Sequence, residues 1–205
     1  MNQTYFVVGI STEVGKTIIS SILVETLKAD YWKPIQAGEL ENSDTHKVSS
    51  LISNSETKFH KSAYKLASAM SPHAAAKIDK IAILVKNIAR PKTKNNLVIE
   101  GSGGLIVPLN DKETMLDIIK PSDQVIVVSR HYLGSINHTL LTIEILKKRN
   151  LNVFGIIFSG NENKDSEEII TKMTSVKTLG RIEEEPYFDK NVILEYAEIF
   201  KGILD

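Results

Sequence analysis

The chain contains no cysteine. A disulfide framework, a thiolate metal site and a cysteine nucleophile are therefore all excluded. It has no excess charge of either sign, because 25 Lys and Arg balance 25 Asp and Glu. Nothing in that balance advertises a nucleic-acid partner or an acidic disordered arm. No stretch approaches the ~18 consecutive apolar residues that a membrane-spanning helix needs. The opening MNQTYFVVGIST lacks a basic segment ahead of its short apolar run, which argues against a secretory signal. The expectation is a soluble, cytoplasmic protein that engages neither nucleic acid nor membrane. Its 205 residues, 42% hydrophobic, suit one domain spanning 1–205.

Two periodicities alternate along the chain. Short β-rich runs occur at 5–9 (YFVVG), 31–36 (YWKPIQ), 96–101 (NLVIEG), 124–129 (QVIVVS) and 152–158 (NVFGIIF), with a weaker one at 178–182 (TLGRI). Helical spacing falls between them at 18–27, 77–88, 136–148 and 192–203. Strands alternating with helices predict parallel pairing through right-handed crossovers. Several strands read as near-continuous apolar runs, as expected when both faces of a sheet are covered. The predicted fold is α/β: a doubly wound, mostly parallel sheet flanked by helices, which the loop at 9–17 described below would make P-loop NTPase-like. The polar stretches 37–62 and 159–168 read as loops. In such a sheet, ligands gather at the carboxyl ends of the strands.

One stretch carries a specific chemistry. GISTEVGKT, from Gly9 to Thr17, leaves a predicted strand and opens a predicted helix. That is the context of a phosphate-binding loop, in which backbone N–H groups cradle phosphate oxygens. Lys16 would reach the β- and γ-phosphates, and the Thr17 hydroxyl would hold Mg2+. The spacing is unusual, because five residues separate Gly9 from Gly15 where the common pattern has four. A glycine-containing turn with a surface lysine is the plain alternative.

Three further residues bear on that choice. Glu100 ends the apolar run LVIE and starts the turn GSGG. A carboxylate buried at a strand end is costly unless it is paired, and a metal ion would pair it. Asp44, in ENSDTHK, reads either as a helix N-cap or as a second metal carboxylate, and both roles can coexist. Lys33, in YWKPIQAG, is either an edge-strand lysine or a second cation beside transferring phosphate.

These residues together resemble the ATP-dependent dethiobiotin synthetases. The resemblance covers nearly the whole chain. It rests on GISTEVGKT, whose five-residue spacing is the family's own, and on KPIQAG (33–38), Asn42–Asp44 and SPHAAA (71–76). EGSGGLIVPL (100–109) and LGSINH (133–138) complete it. The resemblance implies ATP-dependent carboxylation of 7,8-diaminononanoate by CO2. The route is a carbamate and a carbamic–phosphoric anhydride, and ring closure gives dethiobiotin, in biotin synthesis. It assigns the nucleotide to Glu13, Val14, Gly15, Lys16, Thr17 and Ile18, with Asp44 and the turn Glu100, Gly101, Ser102 and Gly103. Ser159 and Asn161 stand near the base. Thr17, Asp44 and Glu100 would bind Mg2+. Lys33, Lys16 and Thr12 would act in catalysis, with Thr12 and Lys33 also contacting substrate. Gly134, Ser135, Ile136 and Asn137 would receive the substrate carboxylate of the other subunit's site, which implies a homodimer with interface sites. Free N–H groups at the start of a helix from 136 suit a carboxylate.

The sequence also departs from the family pattern. Ala37 replaces a hydroxyl residue, Ser11 replaces the loop aspartate, and Tyr132 stands where some members carry lysine. Ser159 aligns with an asparagine that reads adenine, and Asn161 lies two residues later. A serine cannot reproduce the amide's paired donor and acceptor. Either Asn161 reaches back or base selectivity is relaxed. Glu183–Glu185 reads as a solvated loop, although its position matches a segment that lies near the nucleotide in the family; Trp32 reads as packing, and Leu105 and Ile106 as substrate contacts or core. The five histidines show no metal-ligand spacing. A glutamine-dependent corrin amidase would need a cysteine nucleophile in a further domain. A partition-type ATPase switch, the remaining rival, usually carries a second lysine early in the loop, where this chain has Ile10 and Ser11.

Overall fold

A computed structural model describes residues 2–204. In chain order the elements are β1 (Thr4–Gly9), α1 (Lys16–Leu27), β2 (Asp30–Trp32), β3 (Ile35–Ala37), α2 (Asp44–Leu51), β4 (Phe59–His60) and β5 (Tyr64–Leu66). There follow α3 (Pro72–Asp79), β6 (Leu97–Gly104), β7 (Gln124–Arg130), α4 (Ser135–Lys148), β8 (Asn152–Ser159), α5 (Lys164–Thr174), β9 (Thr178–Ile182) and α6 (Lys190–Leu204).

Seven strands form one sheet in the order β4-β2-β6-β1-β7-β8-β9, and every pairing in it is parallel. The expectation of a mostly parallel α/β sheet is met. The central strands are buried on both faces: Phe6, Val7 and Val125 to Val128 are all at 0% exposure. From β1 the chain crosses by α1 in one direction to β2, and from β7 it crosses by α4 in the other direction to β8. Right-handed crossovers of opposite direction put the two helices on opposite faces. Helices α1, α2 and α6 pack together, and α4 packs with α5. The direction of winding reverses around β1, so the loop leaving β1 opens at the switch point where such sheets bind ligands.

Several sequence expectations need correction. The run 31–36 is not one strand. Pro34 has no N–H to donate to a ladder, and its carbonyl instead accepts from Ala63 and Tyr64. The chain therefore leaves the main sheet at Lys33, and β3 pairs with β5 in a separate two-stranded ribbon. The helix expected over 77–88 is α3, which begins at Pro72 and stops at Asp79, because Lys80 adopts a left-handed conformation (φ +55°). Its periodic residues Ile78 and Ile81 are exposed, and beyond them only Ile83 is deeply buried. The presumed loops at 37–62 and 159–168 contain α2 and the start of α5. Their capping residues, Ser43 and Asn163, carried the signal.

Gly155 in β8 shows how closely the sheet is fitted. A Cβ there would lie 2.5 Å from Leu179 Cγ of β9. Gly155→Ala should lower stability by about 1–3 kcal/mol through overpacking. Urea denaturation checks this, and an unchanged midpoint would show that Leu179 repacks freely.

Candidate functional site

The loop between β1 and α1 is held by its two glycines. A Cβ on Gly9 would come within 2.6 Å of the Ser11 carbonyl and 2.9 Å of Lys16 Nζ. Gly15 sits at φ +93°, a region that glycine enters without strain. The Lys16 side chain folds back over the loop and donates to the Ser11 carbonyl at 2.9 Å. Burial, and then the neighbouring Lys33 charge, lower its pKa to about 8. A cation held in so dry a position is poised for an anionic ligand.

Opposite the loop, four side chains converge. Thr17 Oγ1 lies 3.0 Å from Glu100 Oε1 and 3.3 Å from Asp44 Oδ1. Lys33 Nζ lies 2.7 Å from Asp44 Oδ2 and 2.8 Å from Glu100 Oε1, and it also donates to the Gly101 carbonyl at 3.1 Å. Burial alone would lower the Lys33 pKa, but the charges of Glu100 and Asp44 outweigh it and hold it raised. Burial would likewise raise that of Asp44, and Lys33, with help from Lys47 and Thr17, more than offsets this, leaving it lowered. Both groups are therefore charged at neutral pH.

Lys33 reaches this position because the chain turns out of the sheet at Pro34. Asp44 reaches it as the first residue of α2. It is not the N-cap that its sequence context allowed, since Ser43 fills that role and accepts from His46 N. Glu100 does not end its strand either: β6 continues through Gly104.

Two participants escaped the sequence reading. Tyr31 donates its hydroxyl to Glu100 Oε2 at 2.9 Å, and Gln36 Oε1 accepts from the backbone N–H of Asp44 at 3.3 Å. Each lies within three residues of Lys33, and burial in an otherwise apolar context was the available signal. Burial, with the Glu100 charge, raises the Tyr31 pKa well above its ordinary value, so it remains a donor.

Among the described residues no cluster of three or more His, Cys, Asp or Glu could by itself hold a metal. The donors here are two carboxylates and a hydroxyl. They suit a hard cation such as Mg2+, which takes one or two carboxylates and completes its shell with water and phosphate oxygens.

These groups line a pocket of about 650 Å³, together with Thr12, Glu13, Gly15, Ile18, Ser102 and Gly103. Gly15 and Ile18 also line a smaller adjoining cleft of about 80 Å³. Ser159 lies there, 8% exposed at the end of β8, with its Oγ 2.7 Å from where a Gly15 Cβ would be. Glu183–Glu185, read from sequence as a solvated loop, forms one wall of this cleft. Asn161 is exposed and is not among the residues lining it. Val14 is buried beneath the loop. Val107, rather than Leu105 or Ile106, lines the large pocket. Trp32 is packed in the core, as expected, and donates to the Lys61 carbonyl.

Gly134, Ser135, Ile136 and Asn137 form the start of α4, with Gly134 in a left-handed conformation (φ +100°). None of the four lines the pocket of its own chain. Leu133 beside them is fully exposed.

A parallel sheet whose first strand passes through a glycine loop into a helix, with Lys16 and Thr17 at the turn and carboxylates facing them, defines a P-loop nucleotide-binding protein. Residues 3–192 match the model of an AAA domain family. The fold is shared with the cell division ATPase MinD of Pyrococcus furiosus, at a TM-score of 0.62 and 14% identity over 99% of this chain and 100% of that one. It is also shared with a plasmid partition protein of Borrelia burgdorferi bound to AMPPNP, at 0.61 and 17% identity over 99% and 98%. At such identities the likeness is one of fold.

The sequence relatives narrow the class: the chain belongs to the ATP-dependent dethiobiotin synthetase family. It is 61% identical over 201 residues to the synthetase BioD of Christiangramia forsetii, covering 98% of this chain and 97% of the relative. It is 48% identical over 197 residues to BioD of Cytophaga hutchinsonii, covering 95% of each.

Proposed function

We propose that this chain closes the ureido ring of dethiobiotin from 7,8-diaminononanoate, CO2 and ATP, acting as one synthetase domain. It is an ATP-dependent cyclo-ligase of biotin biosynthesis. The observation that carries the mechanism is the convergence of Lys33, Asp44, Glu100 and Thr17 opposite the Lys16 loop.

The chemistry needs no covalent enzyme intermediate. One amine of the substrate adds to CO2 and loses a proton, giving a carbamate. A carbamate oxygen attacks the γ-phosphorus of ATP, the bond to the β-phosphate oxygen breaks, and ADP leaves. The second amine attacks the carbonyl of the mixed anhydride, phosphate departs, and the ring closes.

The residues position the reactants and neutralise charge. Lys16 takes the β- and γ-phosphate oxygens when it leaves the Ser11 carbonyl. Lys33 faces the carbamate and the transferring phosphoryl group, and Thr12 lies at the same mouth for the reacting amine. Thr17, Asp44 and Glu100 would hold Mg2+, which supplies charge neutralisation at the phosphates. The α4 start at Gly134–Asn137 meets the substrate carboxylate of a partner subunit. That reading is supported by the exposure of Gly134 and Asn137, on either side of the buried Ser135, and by the absence of all four from the lining of the pocket of their own chain. The test is mass analysis of the product after incubation with diamine, ATP, Mg2+ and bicarbonate. ATP hydrolysis that ignores the diamine would favour a switch ATPase instead.

Base selectivity follows from Ser159. Its hydroxyl rotates to donate or accept, so it meets adenine, guanine and cytosine alike. GTP and CTP should support turnover at a usable fraction of the ATP rate, and Ser159→Asn should sharpen the preference for ATP. Steady-state rates with each nucleotide check this. Rejection of both by about a thousandfold in the natural protein would refute it, since only unpaired buried polar groups discriminate so strongly.

A further inference from the structure

The small cleft beside the phosphate loop is roofed by an ion pair that the mechanism above does not use. Arg130 ends β7, and Glu184 lies two residues beyond β9. The strand between them is β8, so the pair reaches across its carboxyl end. Arg130 Nη2 lies 3.0 Å from Glu184 Oε1 and 2.7 Å from Oε2. The pair rests on Gly160, where a Cβ would be 3.2 Å from Glu184 Oε2 and 3.9 Å from Arg130 Cγ and Nε. Gly160, at φ +86°, keeps that approach open.

Three observations separate this pair from ordinary surface charge. The Arg130 side chain is 41% exposed and that of Glu184 51%, and ion pairs so wet add little to stability. Among the described residues Arg130 donates through Nη2 alone, leaving Nε and Nη1 without protein partners. Arg130 also lines both the small cleft and the large pocket that holds Lys16 and Thr17. It thus stands at the junction between the phosphate loop and the space beside Ser159. That cleft measures about 80 Å³ and adjoins the large pocket, with which it shares Gly15, Ile18 and Arg130.

We propose that Arg130 and Glu184 form a clasp over the nucleotide base, with the Arg130 guanidinium lying on the face of the base and Glu184 holding the guanidinium plane in place. This rests on the reading of the site as a nucleoside triphosphate site. A guanidinium stacks on any aromatic face, so the clasp adds affinity without choosing among bases. Arg130 is a binding residue and Glu184 is a positioning residue. No covalent step is involved.

The experiment measures nucleotide affinity by titration calorimetry of the full chain with Mg2+ and without diamine. The clasp is thereby tested even if no dethiobiotin is formed, whereas absence of product in the separate turnover assay would count against the reaction alone. Arg130→Ala should raise the Kd for ATP about tenfold, as expected for loss of a partly desolvated cation–π contact. It should raise those for GTP and CTP by similar factors. Inorganic tripolyphosphate, which has no base, should bind within about twofold of its wild-type affinity. Glu184→Gln should weaken ATP less than Arg130→Ala does, and adding it to Arg130→Ala should weaken ATP no further. Thermal melts confirm that each variant is folded. An unchanged ATP affinity in Arg130→Ala overturns the clasp. Equal weakening of tripolyphosphate overturns it as well, since Arg130 would then be a phosphate ligand. Additive effects of the two substitutions would show that Glu184 does not act through Arg130.

Discussion

Lys16→Ala is expected to abolish dethiobiotin formation while leaving the protein at least as stable as before. Buried lysines usually owe their place to a paired carboxylate, but among the described residues Lys16 has none at ion-pair distance: its hydrogen bond goes to the Ser11 carbonyl. It is only 7% exposed, and burial lowers its pKa to about 8, with Lys33 adding to the effect. At pH 7 it is therefore still a cation, held where the folded chain disfavours cations. Removing it relieves that penalty, and Gly9 beneath it loses only a close neighbour. The triphosphate, however, loses the charge that meets its β- and γ-oxygens. Loss of one positioned stabilising group in an active site costs about two to three orders of magnitude in rate. A group that also anchors ATP should cost at least that. Turnover and a thermal melt, measured on the same preparation, give the answer. A folded variant with near-normal turnover would sink the loop assignment. A variant that melts far below wild type would show that Lys16 holds the loop together.

The phosphate loop and its family were legible because they depend on local order: a strand, two glycines at fixed spacing, a lysine and a hydroxyl. The central strands were legible for a similar reason, since apolar runs buried on both faces leave little ambiguity. What escaped was decided by contacts distant in sequence. Pro34 in YWKPIQ marks where the strand breaks, but nothing there says that Lys33 then meets a carboxylate 67 residues away. The cap at Ser43 could be confused with Asp44 because both residue types cap helices, and the choice depends on whether Lys33 competes for the carboxylate. Helix α2 was missed because its faces are largely polar, so its cap was a stronger signal than periodicity. Helix α5 does have an apolar face, through Ile169, Ile170 and Met173, which the polar stretch ahead of it obscured. Glu183–Glu185 is the largely exposed loop its composition suggested, and its place beside Gly15 and Ser159 was legible only through the family resemblance, since the order β1-β7-β8-β9 brings them together.

Glu100→Gln should lower turnover by about two to three orders of magnitude and shift the Mg2+ titration to higher concentration. Glu100 is 1% exposed, and both of its oxygens are hydrogen-bonded. Oε1 accepts from Thr17 and Lys33, and Oε2 accepts from Tyr31. A glutamine of the same shape can turn its amide nitrogen to the Tyr31 hydroxyl, which accepts as well as donates, and keep its oxygen on Thr17 and Lys33. Losing the charge-assisted bond to Lys33 costs about 1–3 kcal/mol of stability, and Lys33 keeps Asp44 as its counter-charge, so the fold should survive. The site nevertheless changes from two carboxylates facing two lysines to one, which leaves it net positive and a poorer home for a divalent cation. Two controls separate charge from packing. Tyr31→Phe removes a hydrogen bond to Glu100 without removing its charge, and it should leave the Mg2+ titration near that of wild type. Ser43→Ala removes the α2 cap at a cost of about 1 kcal/mol and should leave the titration in place, whereas Asp44→Asn should move it as Glu100→Gln does. If Glu100→Gln and Asp44→Asn both keep wild-type Mg2+ dependence, the carboxylates serve only to hold Lys33 in position, and the metal is bound by the nucleotide without them.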